Sequence, residues 1–260
     1  MLIKQNIPWY RTKYYKKNWQ IKKNLPYIFY CFKNSLAEKE IDKITQLKKK
    51  HRQKILSFLN LKNDQTIHYY LYPTFKNKLK LMGDDSPGNS IWEKFELVNR
   101  ISRTAKFEIH VMYNNNCKFI GEHEDTHLLS LPWGLSIYLF CEGLAQFMEG
   151  GLFGRDIDEI SKELLRQNKL YSLLELVDNN NWNEVEPPII YPQVGSFARF
   201  LIESYGLKKF KSAYQKLSRL NSYQDNLSAI RKEYFKGIDE LEKEWKEKLI
   251  TSAQNQKIPF

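Results

Sequence analysis

Residues 137–149 read IYLFCEGLAQFME, and this run constrains the fold more than any other feature of the chain. Placed at about 100° per residue, Ile137, Phe140, Cys141, Leu144 and Met148 make one apolar stripe, so the run is a helix with one face in a core. Glu142, Ala145 and Glu149 line up along the flank of that stripe. A carboxylate there is half buried, which is costly unless a cation or a donor meets it. The small Ala145 lets another helix come close, and Gly150-Gly151 closes the helix. Any fold this chain takes has to give Glu142 a partner.

A candidate partner lies just upstream. Residues 123–127, HEDTH, fit the pattern His-Glu-x-x-His. Residues four apart on a helix share one face, so His123 and His127 can bind one ion. Glu124, next to the first ligand, points toward the side left open for water. A catalytic zinc takes three protein ligands and keeps one position for water. His51, His68 and His110 all lie upstream, and the downstream Gly and third His of the metzincin extension are absent, Ser130 and Trp133 standing there. Glu142, with 14 residues (128 to 141) between it and His127, is the third ligand the chain offers. Zn2+ is the expected ion.

The rest of the chain sets the frame. With 260 residues it can bury a sizeable core, and 42% hydrophobic residues mark it as globular rather than disordered. The net charge of +11 is unevenly placed: residues 1–62 hold 16 Lys/Arg against 3 Asp/Glu, whereas the remainder is nearly balanced. Cys31, Cys117 and Cys141 are too few and too far apart for a disulfide framework, which fits a reducing compartment. Cys117 and Cys141, which flank the motif, are expected as buried small hydrophobes. The N-terminal residues contain no apolar run of signal-peptide length, and LSLPWGLSIYLFC is too short to span a bilayer. A cytoplasmic protein without a transmembrane segment is expected.

Ser35 and Glu38 form a capping box at the head of a helix that ends near Leu59, and its KKKHR segment is expected as a solvated face. TIHYYLYP and FEIHVMYN alternate as strands, FKNKLKLMG is a short helix ended by Gly83, and GDDSPGN is a turn. A helix runs through HEDTH, and the glutamate helix is expected from about Trp133 to Glu149. VEPPIIYPQ is expected as a proline-marked connection, followed by the helix GSFARFLIESYG and a helical C-terminal region. Strands first and helices after them make an α+β fold. The expected division is a basic, largely helical extension over 1–62 and one domain over 63–260.

HEDTH followed by FCEGLAQFMEGG resembles the gluzincin metallopeptidases, in which HExxH is followed by a helix of the type Glu-Gly-x-Ala-x-aromatic-x-Glu. More narrowly, the chain is similar to the peptidase MA-like group, compact relatives of the aminopeptidase N family. YPQVGSFARFLIESYGLKKF resembles the segment in which that group packs a Gly-Ser-Phe helix behind the site, and TIHYYLYP matches more weakly. The resemblance spans roughly residues 60–220. It implies a zincin-like domain, with His123, His127 and Glu142 as zinc ligands, Glu124 as general base, and a supporting role for Glu149. It implies that Tyr191 stabilises the oxyanion, although a buried tyrosine with an ordinary hydrogen bond reads equally well from the residues. The HExxH-to-Glu spacing is shorter than in aminopeptidase N, and FEIHVMYN stands where that family carries Gly-x-Met-Glu-Asn to capture a free amino terminus.

The expected function is zinc-dependent hydrolysis of peptide bonds in a peptide or protein substrate, the strand FEIHVMYN pairing with the extended substrate. The alternative is an inactive zincin-like binding or scaffold protein whose basic N-terminal region, RTKYYKKNWQIKK and KKKHRQK, binds nucleic acid or an anionic surface. Nucleic acid is not the expected partner, because a charge run is usually a solvated face. His110 is expected as a structural histidine, and Arg199 either pairs with the active-site region or lies on the surface.

Overall fold

The computed structural model describes residues 18–84, 86–92, 95–96, 100–101 and 107–251. They form an α+β chain with a small N-terminal sheet and a helical C-terminal region, dividing into two compact units between Pro132 and Trp133. RTKYYKK, Asp85 of GDDSPGN and parts of IWEKFELVNRI lie outside the described residues.

The first unit is built on a five-stranded sheet in the order β1 (Trp19–Asn24), β2 (Tyr27–Phe32), β3 (Ile67–Tyr72), β7 (Phe107–Met112) and β4 (Gly88–Trp92). The three middle strands run parallel, and the two edge strands are antiparallel to their neighbours. Two further short strands, β5 (Phe95–Glu96) and β6 (Arg100–Ile101), pair only with each other. Residues 19–32, expected within a separate extension, instead supply two strands of this sheet, and the chain does not divide at residue 62. The reason is the alternation in YIFYCF, which buries Tyr27, Phe29 and Cys31 on one face. β1 carries Lys22 and Lys23 on the sheet's rim, as edge strands commonly do.

Between β2 and β3 run α1 (Leu36–Lys39) and α2 (Ile41–Leu59). Ser35 caps α1 by accepting from the Glu38 N–H, as the capping box predicts, and α2 ends at Leu59 with Asn60 in the left-handed region. α3 (Phe75–Met82) is closed by Gly83 at φ 71°, where a side chain would be strained. GDDSPGN is a turn only as far as Pro87, because Gly88 opens β4. Asp84 accepts from the Ser86 N–H and the Asn89 amide, and buried Lys78 donates to Ser86 and Asn89. α4 (His123–Leu129) follows β7 and packs on α2 and β4.

The second unit is helical. α5 (Tyr138–Glu149) begins five residues later than the sequence predicts. Leu131–Trp133 forms a 3-10 turn, Gly134 takes φ 104°, and the Ser136 carbonyl is held by Arg219 instead of opening a helix. After the hairpin β8 (Gly151–Leu152) and β9 (Arg155–Asp156) come α6 (Ile157–Arg166) and α7 (Leu173–Leu176). PPIIYPQ is not a connection: it is the start of α8 (Pro187–Tyr205), 19 residues long. Proline is well placed in a first turn, where its missing N–H has no helical acceptor, whereas Pro192 lies inside the helix, which runs on through it without an N–H for the Pro188 carbonyl. α9 (Leu207–Lys216), α10 (Tyr223–Tyr234) and α11 (Ile238–Thr251) complete the unit, the last two parted at Phe235, φ 58°. Among the described residues, no helix is long and apolar enough to cross a membrane.

Candidate metal centre

HEDTH lies at the start of α4, a helix of seven residues whose N-cap, Glu122, makes no side-chain capping bond. So short a helix contributes few hydrogen bonds of its own and depends on its surroundings. His123, Glu124, Asp125 and Thr126 are all buried. The Nε2 atoms of His123 and His127 stand 3.2 Å apart. Two ligands on a tetrahedral ion with metal–nitrogen distances of about 2.0–2.1 Å are separated by about 3.3 Å, so the two imidazoles are spaced to share one ion. His123, His127 and Glu142 each offer one ligand atom, and these atoms lie within 4.8 Å of one another. This is the set read from the sequence, and it could hold a metal ion.

Glu124 shares its surroundings with the edge strand. A Cβ built on Gly88 of β4 would lie 2.7 Å from Glu124 Oε1 and 2.3 Å from the Phe119 ring. β4 can therefore run against the Glu124 carboxylate only because residue 88 is a glycine. β7, expected to hold a substrate strand, has both edges filled, by β3 and β4. The strand with an outer edge at this side of the sheet is β4, and sequence alternation does not reveal strand order.

The KKKHR segment is a solvated face only in part: Lys49 and Lys50 are exposed, but its two ends are not. Lys48 is fully buried and Arg52 only 4% exposed. Lys48 Nζ forms an ion pair with Asp125 and donates to the carbonyls of Gly121 (2.7 Å) and Ile120 (3.3 Å), on the approach to α4. Tyr27 donates its O–H to the other Asp125 oxygen. Burial, and after it the Asp125 charge, pushes the Tyr27 phenol well above its usual range, so it stays a donor. Arg52 lies over the Tyr27 ring and Lys48 over that of Tyr69. Lys54 pairs with Glu122 at 2.7 Å, and burial, with the Lys48 charge, lowers the His51 pKa. Lys48 and Lys54 thus hold the start of the HEDTH helix, and Lys48 and Arg52 are lost to any basic surface. An open pocket of about 750 Å³ beside Lys49, Arg52, Leu56 and Pro26 holds none of the candidate ligands.

His110 lies on the sheet face opposite Tyr27 and Tyr69 and is structural. Its Nδ1 meets the Tyr72 hydroxyl at 2.8 Å, its Nε2 meets Glu108 at 3.2 Å, and its ring stacks on Tyr70. Burial lowers its pKa. Cys141 is buried, with its thiol against the Tyr214 hydroxyl, whereas Cys117 is only partly buried.

In the second unit α8 packs closely on α5. A Cβ on Gly143 would lie 2.9 Å from the Val194 carbonyl, and one on Gly195 would meet Gln146 at 2.7 Å. Glycine thus makes the close approach that Ala145 suggests from the sequence. Tyr191 lies within α8, not ahead of it, at the helical spacing that aligns it with Val194, Gly195 and Ala198, one turn before the crossing. Glu142 adjoins Gly143 in that crossing, and Glu149 ends α5 before Gly150. Arg199 is a salt-bridge residue: it binds Asp156 and Asp158 and reaches the Gly150 carbonyl at the end of α5. Comparison of the chain with protein-family models and with curated proteins gives no match.

Proposed function

We propose that the chain is a zinc metallopeptidase of the gluzincin type, acting on a peptide or protein substrate. The observation that carries this reading is the His123, His127 and Glu142 set, three ligand atoms within 4.8 Å of one another, with a buried glutamate next to the first histidine. A set of three leaves one position of a tetrahedral ion for water, as hydrolysis requires and a closed structural site does not. When bound, zinc supplies Lewis acidity that acidifies water toward neutrality and polarises a carbonyl.

Glu124 takes the proton of the attacking water and passes it to the leaving amine as the peptide bond breaks. The outer edge of β4 offers backbone donors and acceptors to an extended substrate, which brings its carbonyl past Glu124 without demanding a particular side chain. Tyr191 donates to the developing oxyanion, and Glu149 supports the ligand helix from its C-terminal end. Activity in an unfractionated peptide library tests the reading. Native protein should cleave, Glu124→Gln should lose about 10²–10⁴-fold in rate while keeping its metal, and cleavage surviving in that variant would remove Glu124 from the mechanism. Gly88→Ala should slow cleavage by displacing Glu124 or β4, with zinc content unchanged; an unaltered rate would break the link between β4 and the base.

A further inference from the structure

The metal reading leaves Asp125 and Thr126 of HEDTH without a task, and Asp125 is a carboxylate with no exposed surface. At 100° per residue, His123 and His127 point within about 40° of each other, and Asp125 points to the opposite side of α4. It meets Lys48 and Tyr27 there, from α2 and β2. A seven-residue helix without a side-chain cap has little of its own to fix its rotation. Apolar packing is non-directional, whereas the Tyr27 O–H on one Asp125 oxygen is a directional, charge-assisted bond, and the Lys48 amine beside the other oxygen adds a short-range charge attraction from a second element. A 20° turn about the helix axis moves an atom roughly 6 Å from that axis by about 2 Å, far beyond the ±0.2 Å over which metal–ligand distances hold. Lys48 also grips the carbonyls of Ile120 and Gly121, so the approach to α4 and its first turn are held by one amine.

We propose that Asp125, clamped by Lys48 and Tyr27, is a positioning residue that sets the rotation of α4 and thereby aims His123, His127 and Glu124. The inference rests on the metal-site reading above. It assigns function to a pair that joins a lysine run to the metal motif across 77 positions of the chain.

The test uses the full chain with Asp125→Asn, which keeps the shape and loses the charge, and Tyr27→Phe, which removes a single O–H. Zinc affinity is measured by competition with a chromogenic chelator, and ligand geometry by the visible absorption of the cobalt(II)-loaded protein. Asp125→Asn should bind zinc 10- to 100-fold more weakly, the range typical for groups that orient metal ligands, with altered cobalt bands and a retained circular dichroism spectrum. Tyr27→Phe should change both in the same direction by less. Should Asp125→Asn not fold, Tyr27→Phe decides alone. Native zinc affinity and native cobalt bands in the folded variants would overturn the proposal even if their melting temperatures fell, because Asp125 would then serve stability only. Native protein that binds neither zinc nor cobalt would overturn the metal reading itself, and this inference with it.

Discussion

α4 and α5 each carry part of the candidate ligand set, and they are held by opposite means. α4 has seven residues, a buried polar first turn and no side-chain cap, and it is fixed by charge: Lys48 on Asp125, Lys54 on Glu122. α5 has twelve residues, an apolar face of Leu139, Phe140, Leu144 and Met148, and a left-handed glycine at its end. Shape fixes it, through Gly143 and Gly195 where α8 crosses. A long helix buries enough area for complementarity to set its orientation, whereas a two-turn helix does not and needs directional bonds.

The contrast is most easily broken at Lys48. Lys48→Ala leaves Asp125 buried without its cation and should destabilise the metal-free protein by about 3–5 kcal/mol, read from urea unfolding. A cost below about 1 kcal/mol, the range of surface pairs, would mean the pair is not buried in solution. Lys48→Met with Asp125→Leu sharpens the point. Exchanging a buried pair for apolar residues is often neutral or stabilising, so stability should return while zinc affinity stays low. Recovery of both would make α4 a packed helix like α5.

On the α5 side, Gly143→Ala pushes a methyl group against the Val194 carbonyl, and should cost about 1–3 kcal/mol. Ser196→Ala removes the acceptor of the buried Trp245 N–H, which now bonds at 2.9 Å, and should cost about 1–3 kcal/mol by the same assay. The smallest expected effect is on the far face of the sheet. Burial holds the His110 imidazole below its ordinary range, so the folded state resists a proton that the unfolded chain accepts. Its contribution is full above the ordinary value of about pH 6.5 and is lost as pH falls from there toward the depressed folded value. His110→Gln should therefore flatten the acid side of the melting-temperature profile of metal-free protein, and an unchanged slope would move that sensitivity to another group.

Much of this was legible in the sequence. The strands TIHYYLY and FEIHVM and the ends of α2 at Leu59 and of α3 at Gly83 follow from local periodicity, and the place of Glu142 on the flank of an apolar helix offers it as a candidate partner for His123 and His127. Residues whose partners are distant or whose signal is ambiguous were not legible. A lysine in KKKHR looks solvated until its carboxylate, 77 positions on, is known to be Asp125. β1 hides because its rim lysines break the apolar alternation. Pro187 and Pro188 look like the end of structure and are the beginning of α8. Strand order, which makes β4 and not β7 the edge, is a property of topology that no single strand encodes.

The most direct test is the metal content of purified protein by elemental analysis, set beside that of Glu142→Ala. About one zinc per chain, lost or strongly weakened in the variant, is the expected result. No zinc in the native chain after reconstitution, or full occupancy without the Glu142 carboxylate, would contradict the three-ligand site.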